Sequence, residues 1–536
     1  MPMQWNLADL FEATADAVAD RTAIVCGDRR FTFRELDERA TRLANHLAAH
    51  GVGRGDHVGL YLYNGPEYVE GTFAAYKLGA VPINVNYRYV EGELAYLFDN
   101  ADLKALIHGR EFVDRIAHVA PDAPKLTVFV AVEDGTEADL AAIGAVEYEA
   151  ALAAASPARD FAPRAEEDLY ILYTGGTTGM PKGVMWYQRD FFLSTLAPLL
   201  AMGGPVPETP EAFVQKAVEG GGTVSMPVAP LMHGAALWVG MMTIFGGNTL
   251  VLSSARRMDP HEIWRTVERE RVMSVSLVGD AMARPLIEAL DDGTAEYDLS
   301  GFFVIGSGGA ILSPAVKARI AERLPSVMVI DSLGASETGY QGTNTGVDGE
   351  GRPRFAMGEH TTVLGEDNRP VEPGSGIVGR LARGGYVPLG YYKDPEKTAS
   401  VFAEFEGKRW VLPGDMAMIE ADGMITLLGR GSVSINSGGE KIFPEEVESA
   451  LKSHPDVFDV VVVGVPDERW GERVVAVVRP RPGSTPGVHT LAEHCHSLLA
   501  RYKAPREVHL VDEITRSPSG KADYRWAKAH AMAQQG

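Results

Sequence analysis

The sequence predicts an α/β protein: a large N-terminal α/β domain made of several subdomains, followed by a small mobile C-terminal α+β domain. Three observations carry that expectation. The chain has 536 residues, more than one ordinary hydrophobic core organises. Short apolar runs alternate with longer amphipathic segments, the pattern of strands and helices in turn around largely parallel sheets. Near Gly429 that rhythm gives way to a shorter order of strand, loop, helix and strand.

Taken from the start, "NLADLFEATADAV" sets Leu7, Leu10, Phe11 and Val18 at roughly helical spacing. An acidic polar face favours turning this stripe to a core over laying it on a membrane surface. The start lacks a basic and an apolar region of signal-peptide type, and no run approaches the ~18 apolar residues of a membrane span. Next come the strand and helix patterns "HVGLYLYN" and "PEYVEGTFAAYKLGA", "ALIHG" and "EFVDRIAHVA", then "LTVFVAV". The alternation returns in "NTLVLSS", "DPHEIWRTVERERV", "SVSLVG" and "GFFVIGSGG", which argues for more than one layer within residues 1–428. The glycines at 429 and 431 mark a hinge over 429–432, because glycine absorbs large backbone rotations. Residues 433–536 are enough for a small α+β domain.

Composition narrows the function. Hydrophobic content of 45% with 23% charged residues is that of a soluble globular protein. A formal net charge of -22, spread along the chain, excludes a nucleic-acid partner. The two cysteines, Cys26 and Cys495, stand far apart, so neither a disulfide framework nor a zinc site is expected, and a reducing cytoplasm fits. Peripheral membrane contact and a homodimer are both compatible with the sequence.

The stretch "YILYTGGTTGMPKGVMW" runs a strand into a turn rich in glycine and threonine. Clustered backbone N–H groups, threonine hydroxyls and Lys182 suit a phosphate, although such a loop can also merely join a strand to a helix. It is not the G-x-x-x-x-G-K-[ST] loop, since Pro181 precedes the lysine and Gly183 follows it. Further motifs follow: "GSGGA" from Gly306, "DSLGASETG" from Asp331, "GYYKDPEKT" from Gly390, "WVLPGDMA" from Trp410, "GRGSVSINSGGEKIFPEEVE" from Gly429 and "RSPSGKADY" from Arg516. In this order the set closely resembles the adenylate-forming superfamily of acyl-CoA synthetases, peptide-synthetase adenylation domains and beetle luciferases. The resemblance covers essentially the whole chain.

The resemblance implies ATP, Mg2+ and coenzyme A as cofactors. It makes Lys521 the catalytic lysine that bridges the acyl carboxylate and the α-phosphate, where fixed positive charge offsets the repulsion of two anions. Glu337, with Thr174, would hold magnesium, and Ser336 would bond a phosphate oxygen. Thr174, Gly175, Gly176, Thr177, Thr178 and Lys182 would grip the leaving pyrophosphate. Gly308, Gly309 and Ala310 would line the adenine, with Asp331 among the nucleotide contacts, and Asp415 and Arg430 would hold the ribose. Gly438 and Gly439 would border the pantetheine tunnel after the small domain turns on its hinge. Two positions of the nucleotide site depart from the family pattern: Ser336 stands where threonine is commoner, and Leu333 where an aromatic ring stacks on adenine. Ser432 replaces the usual aspartate or lysine of the hinge.

Free coenzyme A is the expected acceptor, because no carrier domain follows and no acidic residue near "PLMHGAALW" awaits an amino group. Delivery of the acyl-adenylate to a carrier protein is the alternative. His233 falls where relatives place a gate between acyl pocket and thiol tunnel, though a histidine beside apolar residues is also an ordinary core residue. Ala235, Trp238, Val278, Gly306 and Gly334 would line an acyl pocket whose small residues suggest room for a bulky apolar acid. Actinobacterial fatty-acyl and steroid-side-chain CoA ligases, enzymes of lipid metabolism, are the similar group. Asp280 in "LVGDAMARP" either points into that pocket or caps a helix.

Overall fold

The first helix, Leu7–Ala17, starts at Asn6, whose side chain accepts from the backbone N–H groups of Ala8 and Asp9, and it buries Leu7, Leu10 and Phe11 in the core as expected. The computed structural model describes residues 3–174, 180–201, 204–310, 312–348, 352–405, 407–437, 440–467, 469–516 and 521–534. No helix among them is long and apolar enough to cross a membrane.

The early strand–helix pairs form a five-stranded parallel sheet in the order Val81–Asn84, His57–Tyr61, Leu103–Gly109, Val128–Val132, Val146–Glu147. The later ones build one half of a 15-stranded sheet. There Thr22–Cys26, Thr249–Leu252, Val224–Pro227, Ser274–Leu277, Val304–Gly308 and Met328–Ala335 lie parallel side by side. Beyond Met328–Ala335 the pairing becomes antiparallel, beginning with Gly339–Val347. This departs from the largely parallel expectation, and the reason is local. Parallel neighbours need a long crossover, whereas the tight turn Ser336–Thr338 leaves the chain no choice but to fold straight back.

A third sheet is antiparallel throughout: Leu169–Thr174 pairs with Lys182–Tyr187, which pairs with Gly390–Tyr391. The strands on either side of the glycine- and threonine-rich stretch therefore pair with each other, with Thr174 opposite Lys182, and residues 175–179 between them lie outside the described set.

The chain leaves the large sheet at Arg430, passes through the 3-10 turn Gly431–Val433 and enters a separate five-stranded sheet at Ile435. Gly429 has φ +126°, and a Cβ there would strike the Glu445 carboxylate, so this junction requires glycine. In the strand Val457–Asp467 successive valines face opposite ways. Val460 and Val462 pack with Val447, Leu451 and Leu491, while Val461 and Val463 pack with Ala527 and Ala531. Burial on both faces explains why the run "VVVV" carries no polar alternation.

Candidate active site

A cavity of about 1750 Å³ runs between the helix Gly234–Phe245 and the large sheet, and its lining includes Lys521 from the small domain. Alternate residues of one strand, Met328, Ile330, Ser332 and Gly334, line it. Six residues of strand span roughly 20 Å at about 3.3 Å each, so the cavity is long as well as wide. Gly306 and Gly308 line it from the neighbouring strand, and a Cβ on Gly306 would meet nothing closer than 3.8 Å.

The same alternation turns Asp331 to the other face of the sheet. There its carboxylate takes Lys317 Nζ at 2.6 Å and Asn344 Nδ2 at 3.3 Å, and it is not among the cavity-lining residues. Ala310, Asp415 and Arg430 are likewise not among the cavity-lining residues, whereas Gly308, Gly309 and Ser336 are.

The turn Ser336–Thr338, of which Ser336 lines the cavity, is fixed by Trp186 Nε1, which donates to the Ser336 carbonyl at 3.0 Å. Glu337 Oε1 accepts from Tyr391 Oη at 2.8 Å, and among the described residues the other carboxylate oxygen takes no hydrogen bond. Burial, with Glu337 beside it, pushes the Tyr391 phenol far above its usual range, so it stays a donor. Asp415 and Arg430 sit directly opposite on paired strands, with Arg430 Nε 3.4 Å from Asp415 Oδ1. Burial raises the Asp415 pKa; Glu337 raises it further, while Arg430 and Lys521 pull it down. The protein crowded around the Lys521 ammonium lowers its pKa, Arg430 lowers it further, and Glu337 and Asp415 oppose the fall. Lys521 itself remains open to the cleft. Lys521, Glu337, Asp415 and Arg430 therefore share one electrostatic neighbourhood although they come from four separate motifs.

Of the other expected residues, Thr174, His233, Ala235, Trp238, Val278, Gly309 and Ser336 also line the cavity, as does Leu333. Trp238 Nε1 donates to Tyr170 Oη at 2.9 Å, which fixes the ring in the wall. His233 is the N-cap residue of the helix Gly234–Phe245. Ala310 follows Gly309, whose φ of +83° only glycine adopts readily. Lys182, at the far foot of the hairpin, pairs with Asp394 and holds that carboxyl below the usual range. Gly175, Gly176, Thr177, Thr178, Gly438 and Gly439 lie outside the described residues. Asp280 neither caps its helix through a side chain nor lines the cavity; its Oδ1 accepts from the Ser313 backbone N–H at 2.8 Å.

Sequence reasoning missed two residues. Tyr391 lies within the motif "GYYKDPEKT", but only the fold shows that it reaches Glu337. Gln341 is 5% exposed, lines the cavity, and its Nε2 meets no acceptor among the described residues; no motif marks it.

Among the described residues no three His, Cys, Asp or Glu side chains converge. Magnesium needs no such set, because it is held by one or two carboxylates together with substrate phosphates. Glu337, with one oxygen spare, fits that pattern.

A phosphate-type hairpin, a carboxylate pair, and a lysine delivered from a second domain into a long apolar cavity define an enzyme of the adenylate-forming class. The sequence patterns of the AMP-binding enzyme and its C-terminal domain match residues 11–392 and 446–521. The chain belongs to the AMP-binding enzyme family. It is 48% identical over 541 residues to a Mycobacterium marinum protein named medium/long-chain-fatty-acid-CoA/3-oxocholest-4-en-26-oate-CoA ligase, covering 100% of this chain and 98% of that one. It is 48% identical to a Rhodococcus rhodochrous 3-oxocholest-4-en-26-oate-CoA ligase over 98% of this chain and 96% of the relative. Its fold superposes on ATP-bound MatB from Rhodopseudomonas palustris with a TM-score of 0.81 at 24% identity, covering all of both chains.

Proposed function

We propose that the protein is an AMP-forming acyl-CoA ligase for a bulky hydrophobic carboxylic acid, of medium- to long-chain fatty or steroid-side-chain type. The observation that carries this reading is the presence of Lys521 in the lining of a cavity roomy enough for an acyl chain and a nucleotide together. Single drug-sized ligands occupy about 300–1,000 Å³.

The substrate carboxylate enters carboxyl-first toward Lys521, whose ammonium offsets the negative charge of acid and α-phosphate as they approach. A carboxylate oxygen bonds to the α-phosphorus, the bond to pyrophosphate breaks, and pyrophosphate leaves with the electron pair. The hairpin with Thr174 and Lys182 grips it. Asp415 and Arg430 hold the ribose hydroxyls, Gly308, Gly309 and Ala310 the adenine, and Ser336 a phosphate oxygen. Glu337 and Thr174 would hold magnesium, which would supply neutralisation of phosphate charge. The small domain, residues 433–536, then turns on 429–432, which withdraws Lys521 and brings Gly438 and Gly439 to the thiol path. The coenzyme thiol displaces AMP from the acyl carbonyl beside His233, so no covalent enzyme intermediate is required. Both named relatives are CoA ligases, which favours free coenzyme A over a carrier protein.

A panel of acids from acetate through long chains to ring-bearing carboxylates, scored by coenzyme-dependent AMP release, tests the proposal. Turnover should rise with apolar bulk and require coenzyme A. Preference for acetate, or acyl-AMP release that ignores coenzyme A, would overturn it.

A further inference from the structure

Asp280, the residue whose role the sequence left open, belongs to a charged stripe on the helix Gly279–Asp291. Asp280, Arg284 and Glu288 recur every fourth residue and so share one face. Each meets the small domain. Asp280 Oδ2 is 3.7 Å from Lys452 Nζ, Arg284 Nη2 donates to the Lys452 carbonyl at 3.5 Å, and Arg481 Nη1 donates to Glu288 Oε1 at 3.4 Å. The first three are deeply buried, with side-chain exposures of 4% for Asp280, 9% for Arg284 and 7% for Lys452.

The contacts continue toward the active-site lysine. Lys452 Nζ is 3.8 Å from Asp459 Oδ1, and Asp459 takes Arg516 Nη2 at 2.7 Å and Nε at 3.0 Å. Arg516 pairs by a β-bridge with Ala522, which closes the foot of the loop that carries Lys521. Asp280, Lys452, Asp459 and Arg516 form a line of alternating charge from the large domain to that loop.

We propose that this line is a clasp that holds the small domain in the orientation placing Lys521 in the cleft, with Asp280, Arg284 and Lys452 as positioning residues for adenylate formation. The inference rests on the reading of Lys521 given above. The distances suit a contact that opens in every turnover. The two charges at 3.7 Å do not form a short hydrogen-bonded pair, and the attraction of a buried pair is largely offset by the desolvation of its members. Removing Asp280 leaves the buried Lys452 with Asp459 alone, and removing Lys452 leaves the buried Asp280 with Arg284 Nη2 at 3.7 Å, so either change weakens the charge balance of the docked orientation. The clasp therefore selects an orientation without locking it.

Asp280→Asn keeps an acceptor for the Ser313 N–H while removing the charge. It should slow adenylate formation, read as pyrophosphate exchange, by about tenfold, and leave thioester formation from supplied acyl-adenylate within about twofold of the parent. Lys452→Gln should show the same split, and the double variant should lose clearly less than the product of the two single losses, since the Asp280–Lys452 contact is broken in both. Equal loss in both half-reactions, or losses that multiply, would overturn the clasp. Should Asp280→Asn fail to fold, the more exposed pair decides the matter: Arg481→Gln should slow adenylate formation by about two- to threefold with the thioester step unchanged, and no change there would overturn the clasp. Lys521→Ala in the same assays separates the two ideas. If it too fails to split the half-reactions, the reading of Lys521 is at fault; if it alone splits them, the clasp is.

Discussion

Two lysines of the site come from regions of opposite character. Lys182 stands on a hairpin of the large domain, in register with Thr174 and paired with Asp394, so it is positioned whether or not substrate is present. Lys521 stands on a loop of the small domain, set near two carboxylates and an arginine in surroundings that disfavour its charge. The first is scaffold. In the proposed role the second is placed by the docked small domain and would gain most when phosphate and carboxylate arrive, which is the condition for stabilising a transition state more than a resting state.

The sharpest test replaces each in turn. Lys521→Ala should lower adenylate formation by about a thousandfold or more, with thioester formation from supplied acyl-adenylate nearly intact, whereas Lys182→Ala should cost about ten- to a hundredfold. Equal losses would erase the contrast. Glu337→Gln should come next, with roughly a hundredfold loss in turnover and a higher magnesium requirement; an unchanged metal dependence would detach Glu337 from the metal.

The cavity wall belongs to the fixed region. Gly306→Leu has room at Cβ and would fill the cavity, so it should cost long or ring-bearing acids about tenfold or more in kcat/KM while sparing short ones. Uniform loss across the acid panel would move the acyl path elsewhere.

Two pH effects are smaller. Because the Lys521 pKa is lowered in the free enzyme, the alkaline limb of kcat/KM should fall below the ordinary lysine range. Bound phosphates should restore the ammonium, so the limb of kcat should lie higher; coincident limbs would count against it. At the domain junction, burial and the nearby Glu448 push the Glu445 pKa up to about 8, against about 4.5 unfolded. The folded protein therefore binds the extra proton, and this contribution to stability is complete below about 4.5 and lost as pH rises through about 8. Glu445→Gln should flatten the pH dependence of thermal stability across that window, and an unaltered slope would exclude Glu445 as its source.

Much of this was legible along the chain. Alternating apolar and amphipathic segments gave the layers of the first three hundred residues, and the ordered motifs gave the family and named Lys521, Glu337, Asp415 and Arg430. The parallel expectation failed after Ala335 because periodicity reports burial, not strand direction, and direction there was set by the tight turn Ser336–Thr338. Asp331 was grouped with its motif neighbours, but its place on the strand turns it toward Lys317.

What the sequence alone determined is chemistry that depends on residue type and local order: strand and helix periodicity, glycines where the backbone must bend, and a lysine in a recognisable loop. Only the tertiary structure decided that Tyr391 orients Glu337, that Gln341 lines the cavity with a donor unmet among the described residues, and that Asp280 faces Lys452. Those facts join residues far apart in the chain, and the burial that makes such pairings matter exists only once the chain has folded.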